Sequence, residues 1–139
     1  LNFAGEYTGS VKPVKIKRRK YVSMFPSYSF INTIDEVRKE FLKVFSEEFT
    51  DKTLNGAIAE RELIEYKGDV CVVCKKRKGE ASYNSRVDCV RDEGNGKFTV
   101  VIAVKMPPSG STLYVDLPAE KNSAGEFVFT DYPYWEKSE

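Results

Sequence analysis

Histidine is absent from this chain of 139 residues, and that one absence removes a large part of enzyme chemistry. Without it there is no Ser-His-Asp or Cys-His nucleophile, no imidazole general base and no imidazole metal ligand. No charge of one sign dominates either. Lys and Arg number 22, Asp and Glu 21, and the net charge is +1, which excludes a bulk polycation of the ribosomal or histone kind. No apolar run approaches the roughly 18 residues that a membrane-spanning helix needs. Residues 1–12 lack the apolar core of a signal peptide, and there is no Asn-x-Ser/Thr acceptor. Leu1 therefore reads as the start of a mature or trimmed segment, with any signal peptide or anchor upstream of it. Internal repeats, low-complexity tracts and linkers are also missing. What is present is 41% hydrophobic and 13% aromatic sequence, enough for one core. The reading is an arm at residues 1–12, loosely held, followed by a single domain at 13–139.

Cysteine is scarce and odd in number: Cys71, Cys74 and Cys89. At most one internal disulfide can form. Cys71 and Cys74 have C-x-x-C spacing, but Val72 and Val73 lie between them in a β-rich run. On a strand, residues i and i+3 face opposite ways, so the two cannot chelate one ion or pair. They read as small apolar strand residues. A Cys71–Cys89 bridge between neighbouring strands stays open. No metal or cofactor is expected.

The strongest local signal is Thr33-Ile34-Asp35-Glu36, a capping box. Ile34, Val37, Phe41, Val44, Phe45 and Phe49 then recur at helical spacing, with charged residues on the other face. The pattern predicts one long helix over residues 34–49. Thr50 is expected to cap a second, short helix over 51–55 that stops at Gly56. Ahead of these, Val14 and Ile16 alternate with Lys15 and Lys17 in a lysine-guarded edge strand running on toward Phe25. Beyond them the period falls to two. A hairpin turns at Lys67-Gly68-Asp69 and another at Glu93-Gly94-Asn95-Gly96. Strands follow around Phe98, Val100, Ile102, Val104 and Met106, around Leu113, Val115 and Leu117, and over 126–132. The expected architecture is α+β, with the long helix and the short one packed on a curved antiparallel sheet of five to six strands.

Several segments together carry a family resemblance. They are Tyr21-Val22-Ser23-Met24-Phe25, Phe45-Ser46-Glu47-Glu48-Phe49-Thr50-Asp51-Lys52-Thr53-Leu54, Glu65-Tyr66-Lys67-Gly68-Asp69-Val70, Gly96-Lys97-Phe98, and Gly125-Glu126-Phe127-Val128-Phe129-Thr130-Asp131-Tyr132. In that order they resemble secreted proteins and lipoproteins of Gram-positive bacteria with an NTF2-like or cystatin-like domain. They are also similar to the secreted inhibitors of peptidoglycan DL-endopeptidases in bacilli. The resemblance covers about residues 20–132. It implies an NTF2-like or cystatin-like fold and an extracellular or surface-anchored location. It also implies a role as a binding or inhibitory module of cell-wall hydrolases. The chain departs from the family after the hairpin: relatives carry an Asp-Arg-Gly-Ser-like loop, and here Lys76-Arg77-Lys78-Gly79-Glu80 keeps an arginine without its acidic partner.

Candidate sites follow from charge. Lys15, Lys17, Arg18, Arg19 and Lys20 put five cations in six residues. They could dock phosphate or an anionic cell-wall polymer such as teichoic acid, or simply guard a strand edge against aggregation. Lys75, Lys76, Arg77 and Lys78 form a second basic run, with Tyr83 nearby; four like charges in one loop repel each other without a partner. Nucleic acid would call for aromatics interleaved with the cations, and the balanced total charge speaks against it. Asp88 and Tyr114 are the pair a ligand pocket or an acid–base site would use. Against that, Asp88 can equally be an outward polar residue on an alternating strand. Phe98, Ile102, Phe127 and Phe129 are expected to fill the interior.

The sequence thus points to a non-catalytic extracellular binding module. It would occlude a partner such as a cell-wall peptidase with the loops at residues 75–83 and 107–111. The alternatives are a small-ligand or enzymatic cone around Asp88 and Tyr114, and an assembly module of a secretion or cell-surface machine. Expected partners are a protein or a cell-wall polymer, with membrane contact only through an anchor, and the chain is a monomer or weak homodimer. By segment, residues 1–32, 33–66, 67–106 and 107–139 carry +5, −4, +4 and −4. The overall neutrality is a cancellation of blocks.

Overall fold

A computed structural model describes residues 13–25, 30–74, 84–106 and 109–132. These form two compact units, one drawn from residues 1–41 and 50–78, the other from 42–49 and 79–139. The expected arm at residues 1–12 lies outside the described residues.

The first unit begins with β1 (Val14–Ile16) and β2 (Arg19–Ser23) and continues through α1 (Ile34–Leu42). It also holds most of α2 (Glu47–Ala59), then β3 (Leu63–Tyr66) and β4 (Asp69–Val73). Its sheet is antiparallel with order β1-β2-β4-β3. Val22, Val70, Val72 and Leu63 on one face bury against Val37, Leu54 and Ala57 of the helices, with Ile31 completing the core. Each large aliphatic side chain so buried contributes roughly 1.5–3 kcal/mol. On the other face Tyr21, Cys71 and Val73 form a smaller cluster with Ile16, Ile64 and Tyr66. Cys71 and Cys74 pack into these two different clusters, as strand alternation requires.

The second unit is built on β5 (Asn84–Gly94), β6 (Lys97–Met106), β7 (Ser111–Lys121) and β8 (Phe127–Phe129), paired antiparallel in that order. β5 carries irregularities between Val87 and Cys89 and between Asp92 and Gly94. Val100, Leu117 and Ala119 are its buried centre, with Phe98, Ile102 and Phe129 packed on them. Phe45 forms a bridge to Phe129. Pro118 sits inside β7 without breaking the sheet, because the named pairing with β8 ends at Ala119–Phe129 and beyond it Pro118 only accepts, its carbonyl taking the Thr130 amide at 3.0 Å.

The expected fold is corrected in four respects. The described residues form two four-stranded sheets, not one of five to six strands under a long helix, so the NTF2-like or cystatin-like arrangement is not found among them. The helix expected over 34–49 is two helices. Its start is as read: Thr33 Oγ1 accepts the Glu36 amide at 3.2 Å, and Glu36 Oε1 accepts the Thr33 hydroxyl at 3.1 Å. Its end is not, because the backbone of residues 44–46 is engaged elsewhere. The Phe129 amide donates to the Val44 carbonyl, and the Ser46 amide donates to the Phe129 carbonyl, both at 2.8 Å. Ser46 then caps α2, its hydroxyl accepting the Phe49 amide. Glu47 and Glu48 follow at the favourable end of the dipole.

The short helix over 51–55 is likewise replaced by α2, which runs through Gly56 to Ala59. It stops at Arg61, whose φ is +56°. The Glu62 amide bonds the Ala57 carbonyl at 2.9 Å and the Arg61 amide the Ile58 carbonyl at 3.0 Å, a Schellman ending with arginine where glycine is usual.

The edge strand read over 14–25 is a tight hairpin instead. Ile16 pairs with Arg19, leaving Lys17 and Arg18 as a two-residue turn with φ of +47° and +71°. Such a turn needs left-handed backbone at both positions. Each such residue that is not glycine costs roughly 1–2 kcal/mol. The turns read from sequence, Lys67-Gly68 and Asn95-Gly96, have the same shape with glycine second.

Candidate functional site

The basic hairpin is held at its base and open at its tip. Arg19 Nη1 donates to the carbonyls of Glu60 and Arg61 at 2.8 and 3.3 Å, at the carbonyl end of α2 where a cation is favoured. The Tyr21 hydroxyl donates to the Arg61 carbonyl at 2.7 Å. The Cys74 amide donates to the Lys20 carbonyl at 2.7 Å. Arg19, read as a ligand-binding cation, is thus a strut. Lys15, Lys17, Arg18 and Lys20 are all exposed, and none has an ion-pair partner among the described residues. Lys15 and Lys20 stand directly opposite each other on the two strands, a repulsive pair. The second basic run, Lys75, Lys76, Arg77 and Lys78, and Tyr83 lie outside the described residues.

Asp88 and Tyr114 are not brought together as a pocket. Asp88 is at the irregularity in β5 and bonds Arg86 Nη1 at 3.1 Å. Tyr114 on β7 is 58% exposed, in the row of Ala103 and Arg86. A shallow depression of about 230 Å³ lies nearby, lined by Asn84, Ser85, Arg86, Ala103, Lys105 and Thr112. It includes neither residue, and it is smaller than the usual ligand cavity of about 300–1,000 Å³.

Sequence reasoning missed the surface of β5. Every residue of this strand is exposed, and among the described residues its outer edge has no strand partner. The register puts Val87 and Val90 on the same face as Leu113 and Phe127, all exposed. Phe127 was expected in the interior; instead it meets Phe98 edge-on at 4.8 Å, with Lys121 Nζ over both rings. Arg86 and Arg91 project from the opposite face, where Arg86 pairs with Asp88, and Arg91 with Glu93 and Asp116. The signal in the sequence was the charge beside each valine, Arg86 and Asp88 at Val87 and Arg91 at Val90, which alternation alone reads as an ordinary half-buried strand.

Two titratable groups are displaced from their ordinary values. The Arg38 guanidinium bonds Asp51 at 2.7 and 3.3 Å, and this hydrogen bond holds the carboxyl below its usual range. Burial, with Asp69 adding its charge, pushes the Cys71 thiol up, so it stays protonated. All three cysteines are free thiols in this structure. Among the described residues no group of three acidic or cysteine side chains could hold a metal ion, and no helix is long and apolar enough to cross a membrane. Comparison with known proteins gives no family model that matches the chain and no curated protein that matches it.

Proposed function

We propose that this protein is a non-catalytic extracellular binding module that restrains a cell-wall hydrolase by covering it. The observation that supports the reading is the open β5 surface. Exposed Val87, Val90, Leu113 and Phe127 share one face of this sheet, with exposed Asp92 and Lys121 on the same face, the apolar centre and charged margin typical of protein docking surfaces. Its occupant in this reading is the folded catalytic domain of the hydrolase. The motif resemblance to secreted endopeptidase inhibitors supports the choice of partner. Covering a cleft needs no nucleophile or general base, which suits a chain without histidine.

The test is titration of the protein into a DL-endopeptidase assay on peptidoglycan. Activity is expected to fall stepwise to a plateau as the protein approaches stoichiometry. Val87→Asp with Val90→Asp places charge at the centre of the surface and is expected to weaken inhibition by about tenfold or more. Both positions are solvent-exposed, so folding, followed by circular dichroism, is expected to be retained. Unchanged hydrolysis at saturating protein removes the hydrolase reading.

A further inference from the structure

The β1–β2 turn contains a choice that the fold does not need. Three two-residue hairpin turns occur among the described residues. Two end in glycine, at Lys67-Gly68 and Asn95-Gly96, where left-handed backbone is cheap. The third uses Lys17-Arg18, two long cations in the conformation that side chains resist. The strands add to the discord. Lys15 is opposite Lys20, so four cations crowd one tip with no acidic partner among the described residues. Guarding an edge against aggregation takes one lysine, not four cations and a strained turn. Unfavourable local conformation that the surroundings hold in place is a mark of sites that act on something.

The mount is rigid. Arg19 and Tyr21 fasten β2 to the end of α2 through the carbonyls of Glu60 and Arg61, and Lys20 is tied to Cys74 through its carbonyl. The backbone that carries the cations is therefore anchored to the end of α2 and to Cys74. An anion arriving there screens the Lys15–Lys20 repulsion and exchanges its counterions for protein charge. A compact single phosphate would meet at most part of such an elongated tip, whereas a chain of phosphates can follow it. No base-stacking platform accompanies the cations: Tyr21 is 4% exposed and its hydroxyl is engaged.

We propose that the tip of the β1–β2 hairpin, with Lys15, Lys17, Arg18 and Lys20, is a binding site for a flexible phosphate-diester polymer of the polyol-phosphate class. The site belongs to a different sheet from β5 and does not depend on the hydrolase reading.

Binding is measured by calorimetry with long-chain inorganic polyphosphate and with poly(glycerol phosphate), across a series of salt concentrations. Single-stranded DNA and phosphatidylglycerol vesicles serve as competing arms. Both phosphate chains are expected to bind, with affinity falling as salt rises. The key variant is Lys17→Asn with Arg18→Gly, which installs the favoured turn and removes two charges. It is expected to melt at a higher temperature than the parent and to lose affinity by about tenfold or more. The slope of log affinity against log salt is expected to drop by about 1 to 1.5. Lys52→Gln with Lys97→Gln removes the same charge elsewhere and is expected to bind within twofold of the parent, roughly the experimental spread. Equal loss in that control, or parental binding by the turn variant, overturns the site. No binding of either phosphate chain at low salt overturns it as well. Tighter binding to DNA or to vesicles than to poly(glycerol phosphate) overturns the assigned ligand class.

Discussion

Thr50 is fully buried in α2, and its hydroxyl finds no hydrogen-bond partner among the described residues. A buried unsatisfied hydroxyl costs roughly 1–3 kcal/mol. Thr50→Val keeps the shape and removes the polar atom, so it is expected to stabilise the protein by about 1 kcal/mol in chemical denaturation. A fall in stability would mean that the hydroxyl is bonded after all. From sequence Thr50 looked like a helix cap, because Thr before acidic and polar residues is the usual cap signature. The capping residue is Ser46 instead. Thr33 was legible as a cap and Thr50 was not, for one reason. At Thr33 the distant contact, Glu65 Oε1 accepting the Ile34 amide at 2.7 Å, agrees with the helix start, whereas residues 44–46 are drawn out of the helix by Phe129, far away in the chain.

At the scale of elements, turns with glycine were readable because glycine reports the backbone angle directly. The β1–β2 hairpin was not, because Lys17-Arg18 carries no such report and the alternation of Val14, Lys15 and Ile16 suits a longer strand equally well. The long helix failed similarly. Phe41, Phe45 and Phe49 keep a spacing of four across the break, so periodicity runs on where the helix does not. The helices α1 and α2 are joined by the two-pronged Arg38–Asp51 pair, which no spacing rule announces at a separation of 13 residues. Asp51 is held below its ordinary value of 3.8, so the pair's contribution is present above that pH. It fades as pH falls through the lower, folded-state value. Asp51→Asn is accordingly expected to be less stable than the parent at neutral pH. The gap should close in acid once both Asp51 states are protonated, as thermal melts across pH would show. A gap independent of pH would assign the effect to packing.

On the scale of the whole molecule, the switch from helical to two-residue periodicity indicated a mixed helix and sheet protein but not how its strands divide. Strands 84–94, 97–106, 111–121 and 127–129 pair in chain order, which hairpin reasoning can supply. The place of β2 beside β4 requires a contact across the intervening helices, and local patterns are silent about it. Of the candidate site residues, the cations of the hairpin tip were visible as a run, yet Arg19's separate duty was not. It depends on where α2 ends, and that was misjudged at Gly56. The β5 surface was the least legible, since exposure of valine is a property of the assembled sheet and not of the strand.

The Schellman ending of α2 has a consequence for motion. Arg19 and Tyr21 of the hairpin bond the same carbonyls that frayed helix ends release first, and the Val73 amide bonds the Glu62 carbonyl one residue on. Fraying of the helix and peeling of the hairpin are therefore one opening event. Arg19→Ala is expected to speed amide hydrogen exchange at Arg61, Glu62 and the β2 residues together, by about tenfold or more. Acceleration confined to β2 would show that the two open separately. A charge that reads in the sequence as one more member of a basic run thus sets the breathing rate of a helix end 41 residues away.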